Sequence, residues 1–189
     1  DAGTLATNSV DSAELIDGSI DNSHIDAMAA SKLTGALPAI SGASLTNIPA
    51  PSGTILQTLT STTSTGRIIQ DTTWLDSYLT VTMTPTASDT KILIFVNNNA
   101  MEKDSGSAST SIGYRLLKDA TVLCTQLEHG TTGVNAMSVF SGPHFVWIET
   151  SGDTTERTYK TQANSTNSYG NTYINFGGTS TLHVLEIGQ

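Results

Sequence analysis

The sequence predicts an all-β protein: a thin trimeric N-terminal stalk with little regular secondary structure, followed by an antiparallel β-sandwich knob of jelly-roll type. Three observations predict it. The 189 residues are 37% hydrophobic and only 13% charged, with Thr, Ser, Asn and Gly filling the difference; β-branched residues suit a pleated surface, and strong helix formers are scarce. From Ser52 onward, short runs of strand-forming residues alternate with turn clusters at intervals of roughly 8 to 12 residues. Ahead of them lies a repeat too thin to bury its own apolar residues.

That repeat is the first element, residues 1–33. Ser9-Val10-Asp11-Ser12-Ala13-Glu14-Leu15 is echoed ten positions later by Ser19-Ile20-Asp21-Asn22-Ser23-His24-Ile25, and a worn third copy ends at Ser31-Lys32-Leu33. Leu5, Val10, Leu15, Ile20 and Ile25 recur every five residues, a beat that matches neither a helix nor a strand over any distance. Turn formers such as Asp17, Gly18, Asp21 and Asn22 stand between them. A slender triple strand, with the aliphatics on a three-fold axis and the acids in water, satisfies both facts, because symmetry-related copies are the cheapest partner. The alternative is a disordered tail, for which high charge and few bulky apolar residues argue.

Residues 34–51 form a Gly/Pro-rich neck anchored by Leu37, Ile40, Leu45 and Ile48. Pro38, Pro49 and Pro51 fix φ and push their predecessors toward extended backbone. The expected axis residues are therefore Val10, Leu15, Ile20, Ile25, Leu33, Leu37, Ile40, Leu45 and Ile48.

Residues 52–189 make the knob. Expected strands are 54–60, 66–71, 78–84, 91–98, 111–118, 121–127, 134–141, 144–149, 157–163, 171–176 and 181–187. Leu79, Val81 and Met83 alternate with Thr80, Thr82 and Thr84, the half-buried signature. Ile92-Leu93-Ile94-Phe95-Val96 is unbroken, which predicts a strand covered on both faces. Lys118-Asp119-Ala120-Thr121 suits a tight hairpin.

Charge and cysteine usage exclude several classes. Eight bases against seventeen acids give a net charge of -9, contrary to the basic face a nucleic-acid binder needs. No apolar run approaches the roughly 20 residues of a membrane span, and no basic-then-apolar signal segment opens the sequence; a chain of this kind working outside a cell is expected to leave by lysis, on a particle, or as an excised piece. Cys124 is the only cysteine, so no intrachain disulfide forms, and its strand setting predicts a buried, inert thiol.

The residues that carry chemistry are few. Gly152-Asp153-Thr154-Thr155-Glu156 sets two carboxylates three apart, but in a polar turn this reads as a solvated loop; Glu128-His129-Gly130 reads as an exposed turn. His24 would appear three times around a trimer axis, a geometry open to a metal, yet its expected state is an outward, water-bound imidazole, and Asp11, Asp21 and Asp26 lack EF-hand spacing. No metal, cofactor or catalytic residue is expected. Ligand contact is expected from the Asn/Ser/Gly loop bearing Asn164, Asn167, Tyr169 and Asn171, where Tyr169 offers a stacking platform. Trp74, Trp147 and Tyr173 are expected in the core or at a subunit interface.

The neck from Leu33 to Ile48, the repeats before it, and Pro51-Ser52-Gly53-Thr54-Ile55-Leu56-Gln57 resemble tail-fibre and related appendage proteins of tailed bacteriophages, notably those of marine bacteria and cyanobacteria. Val81-Thr82-Met83-Thr84-Pro85-Thr86-Ala87-Ser88-Asp89-Thr90-Lys91-Ile92-Leu93-Ile94 and the closing Thr181-Leu182-His183-Val184-Leu185-Glu186-Ile187 resemble parts of their terminal β domain. The resemblance implies a non-enzymatic homotrimer on the virion, joined to other virion proteins at its N-terminal end and touching a host-surface glycan or protein with its knob. Tail and capsid positions both fit. A decoration protein contacting only other virion proteins is the alternative, and an enzyme degrading surface polysaccharide a third.

Overall fold

The computed structural model of the chain describes residues 50–103, 111–129, 137–139, 142–165 and 171–189. The expected axis residues Val10, Leu15, Ile20, Ile25, Leu33, Leu37, Ile40, Leu45 and Ile48 lie outside the described residues, as do His24, Asn167 and Tyr169. The chain divides after Ile48, and the second unit is all-β, with no helix among the described residues.

Twelve strands run in chain order: β1 (Ile55–Thr63), β2 (Arg67–Ile69), β3 (Leu75–Met83), β4 (Lys91–Asn97), β5 (Ala100–Lys103), β6 (Ser111–Lys118), β7 (Thr121–His129), β8 (Met137–Val139), β9 (His144–Thr150), β10 (Arg157–Ser165), β11 (Thr172–Phe176) and β12 (Ser180–Ile187). They form a first sheet ordered β1-β12-β4-β9, a second ordered β3-β10-β6-β7 and a small third ordered β2-β11-β5-β8. Every ladder is antiparallel. With the small sheet set aside, the first sheet takes the first, eighth, third and sixth of the remaining strands, and the second sheet takes the second, seventh, fourth and fifth. That is the jelly-roll order expected from the sequence. The third sheet is built from four of the six connections between the two large sheets, since β2, β5, β8 and β11 interrupt β1–β3, β4–β6, β7–β9 and β10–β12 respectively.

The two large sheets meet through one core. Ile92, Ile94, Val96, Leu182 and Val184 come from the first sheet, Leu79, Val81, Met83, Tyr114, Leu116 and Tyr159 from the second, and Ile69 and Ile174 from the third. Tyr114 and Phe145 join the sheets edge to face at 6.4 Å. At the rim, Tyr159 donates its hydroxyl to Glu149 at 2.6 Å, and Glu149 also pairs with Lys118 at 3.0 Å. The Cys124 thiol is half-buried against this core and not fully buried as expected, and that burial raises its pKa.

The alternation expected in β3 is present, with Leu79, Val81 and Met83 inward and Thr80 and Thr82 outward. The reading of β4 needs correction. Ile92, Ile94 and Val96 are buried, but Phe95 is 38% exposed and Leu93 half-buried, so this chain covers only one face of the apolar run. Its neighbour β9 behaves alike: Phe145 points in, while Val146 and Ile148 are 59% and 58% exposed. Strand β5 was not signalled by the sequence, β3 starts three residues before the expected Tyr78, and β10 runs on through Ser165.

The end of the sandwich opposite the third sheet is held by Glu186. Its carboxylate is fully buried and accepts from Gln57 Nε2 at 2.6 Å, Thr90 Oγ1 at 2.7 Å, and Thr86 N and Oγ1 at 2.8 and 3.0 Å. The β3–β4 loop is thereby fastened to β12 and β1.

Candidate functional site

The outward face of the second sheet carries a cluster of polar and aromatic side chains. It is created by a bulge. Lys160 and Gln162 of β10 lie opposite Thr80 and Asp76 of β3, so three residues of β3 face one of β10. Ser77 and Leu79 both turn inward, and Tyr78 between them is forced to φ +67° with its ring half exposed. A bulky residue in the left-handed region is unusual and costs backbone energy. The Arg67 guanidinium lies 5.0 Å from the centre of that ring and donates to the Asp76 carbonyl at 2.6 Å.

Beside Tyr78 a ladder of side chains crosses three strands. Arg115 donates twice to Gln162 Oε1, at 2.9 Å from Nε and 2.6 Å from Nη2. Gln162 passes the contact on by donating to Asp76 Oδ1 at 2.7 Å, and Lys160 lies 3.3 Å from the same oxygen. Burial pushes the Asp76 pKa up, but hydrogen bonds from Gln162 and Lys160 and the nearby Arg67 charge together hold it below the ordinary value. Arg115 is also stacked over Trp74 at 4.2 Å. Trp74 thus sits on an outward face, half-buried under a guanidinium, and not in the core.

The predicted ligand residues that are described belong to this end of the molecule. Asn164 lies within β10, not in a loop. It donates to the Thr72 carbonyl at 3.1 Å, while its Oδ1 is buried without a protein partner. It covers Gly113, where a β-carbon would run into Asn164 Oδ1 and come within 2.9 Å of the Trp74 ring. Asn171 accepts from Gln70 Nε2 at 2.8 Å. Asn164 therefore joins Trp74 and Arg115, and Asn171 stands apart beside β2. Trp147 packs against the core as expected, and Tyr173 is half-buried beside Phe176 at 5.9 Å. Arg67, Tyr78, Arg115 and Gln162 were not singled out from the sequence. The signal for Arg115 was its place opposite Ile112, Tyr114 and Leu116 in the alternation; alternation also sets Tyr78 outward beside Leu79, but its left-handed backbone depends on a bulge that alternation does not encode.

The turn with two carboxylates lines an open cleft of about 210 Å³ with Lys118, Asp119, Ser151 and Arg157. Asp153 accepts from Thr155 N at 2.7 Å and pairs with the buried Arg157 at 2.6 Å. Those contacts hold its carboxyl below the usual range, so at neutral pH it braces the turn and carries no proton to give. Glu128 and His129 lie in β7, paired with Ile112 and Ser111.

No family model and no curated protein matches this sequence. Among solved structures, the chain is similar to VP2 in a subviral particle of infectious bursal disease virus, at 13% identity and a TM-score of 0.36, over 71% of this chain and 34% of that one. It is also similar to a chain of the infectious bursal disease virus Gt strain, at 10% identity and a TM-score of 0.24, over 79% of this chain and 44% of that one. The chain spans less than half the length of either, and at this level of likeness nothing about partners or activity transfers.

Proposed function

We propose that this chain is a non-enzymatic, homotrimeric virion fibre component of the tailed-phage appendage kind, whose jelly-roll knobs contact the host cell surface. The observation that carries the reading is the five-residue recurrence of Val10, Leu15, Ile20 and Ile25. Spaced five apart among polar and turn-forming residues, these aliphatics are too few to build a core within their own segment, so copies of the same segment are their natural cover. Three knobs on one stalk turn weak single contacts into avid attachment, because the first contact raises the effective concentration of the others.

The contact region best suited to this role is the outward face around Tyr78, Trp74 and Asn164. Lys32 aside, the chain has seven bases; three of them, Arg67, Arg115 and Lys160, stand there with Asp76 as their acidic neighbour. In a chain of net charge -9, a positive face with aromatic rings suits an anionic surface glycan. The intact trimer on a glycan array is expected to prefer acidic over neutral glycans, and Arg115→Gln to weaken that binding several-fold. An array with no binding, alongside capture of capsid or tail proteins, would favour a decoration protein. One observation points that way: a guanidinium already covers one face of both the Trp74 and the Tyr78 ring.

A further inference from the structure

The outward face of the first sheet is the reverse of the second. Reading across the strands, one rung is Thr58, Leu185, Leu93 and Ile148, and the next is Thr60, His183, Phe95 and Val146. On the flanking rung Ile55 stands opposite Ile187. Ile55, Val146 and Ile148 are each more than half exposed and Phe95 more than a third. Directly opposed pairs such as Leu93 with Ile148 and Phe95 with Val146 make the apolar surface continuous and not scattered.

We infer that this face is a contact surface for second copies of the same chain, by which the knobs meet one another. The inference rests on the trimer reading and specifies which surface of the knob takes part. Three observations select a second copy as the occupant. The first is the apolar character of β4 and β9 on both faces, in a sandwich whose core accounts for only one of them. Such strands are found where both sides are covered. The second is charge. The two rungs above, together with Ile55-Ile187-Lys91-Thr150 and Thr62-Thr181-Asn97-His144, contain no Asp or Glu, and Lys91 is their one Lys or Arg. Two chains of net charge -9 repel everywhere that their acids meet, so an acid-free apolar face is where like copies approach at least cost. The third is connectivity. The segment expected to trimerise enters the sandwich at β1, whose first residue, Ile55, is itself part of the face.

Photocrosslinking of the full-length chain at micromolar concentration tests this. Benzoylphenylalanine replaces Val146 or, separately, Ile148, with Thr82 on the outward face of the second sheet as the control position. Both sites are exposed in one chain, so folding is not at stake; unchanged thermal unfolding and solution mass verify this for each variant. The expected result is a trimer in which irradiation at 146 or 148 yields two- and three-chain products at least tenfold more abundant than from position 82. A trimer with no excess of inter-chain products from 146 and 148, or with crosslinks mapping to residues 1–49 of the same chain, overturns this inference and leaves the fibre reading standing. A monomeric mass overturns both.

Discussion

Glu186 illustrates how a single charged side chain is accommodated where the strand pattern demands an apolar one. It follows Leu182 and Val184 on the inward face of β12, and burial alone would raise its pKa. Hydrogen bonds from Gln57, Thr90 and Thr86 outweigh burial, and the carboxyl is held below its ordinary value. The unfolded chain then takes up the proton at higher pH than the folded one. Stability from this group is therefore complete above the unfolded pKa of about 4.3 and is lost as pH falls through the lower folded value. Glu186→Gln is expected to lower stability at pH 7 by about 2 kcal/mol, as for other buried bonds to a charge, and to flatten the acid limb. Urea unfolding from pH 7 to pH 3 measures both; an unchanged acid limb would show that Glu186 is not the group responsible. Gly113 makes a second residue-scale case. Its missing β-carbon admits Asn164 and Trp74, so Gly113→Ala should cost about 1–3 kcal/mol and move the tryptophan emission spectrum.

At the scale of elements, the bulge in β3 sets the outward face of the second sheet. Because Tyr78 occupies the left-handed region, Tyr78→Asn is expected to retain the bulge and the fold, whereas Tyr78→Val should lower stability by about 1–2 kcal/mol, since a β-branched residue does not adopt that backbone. Thermal unfolding of the pair tests this; equal midpoints would contradict it. Strands with strict alternation, such as β3 and β12, were legible in the sequence, as was the β6–β7 hairpin, where Asp119 takes φ +54°. Strand β5 was not, because Ala100-Met101-Glu102-Lys103 is written in helix-forming residues and becomes a strand by pairing with β11 and β8. Asn164 was read as a loop residue for a similar reason: nothing local distinguishes Asn164 and Ser165 from the Asn/Ser run that follows, and β6 extends the ladder to include them. The candidate site suffered most, since it is assembled from β2, β3, β6 and β10 and no stretch of sequence contains more than a part of it.

For the whole molecule, the jelly roll leaves two unlike outward faces, one polar and positively charged, the other free of acids with an apolar patch centred on β4 and β9. The first suits contact with an anionic surface and the second contact with like copies. No metal is assigned to any part of this arrangement, and a chelator is expected to leave thermal unfolding unmoved; a lowered midpoint would point to a cation held by the acidic repeats around Asp11, Asp21 and Asp26. The central claim is that aliphatic residues spaced five apart are covered by copies of themselves. Sedimentation equilibrium of the intact chain at micromolar concentration tests it most directly. The account predicts three times the chain mass of 19.8 kDa, and a single chain mass would contradict it.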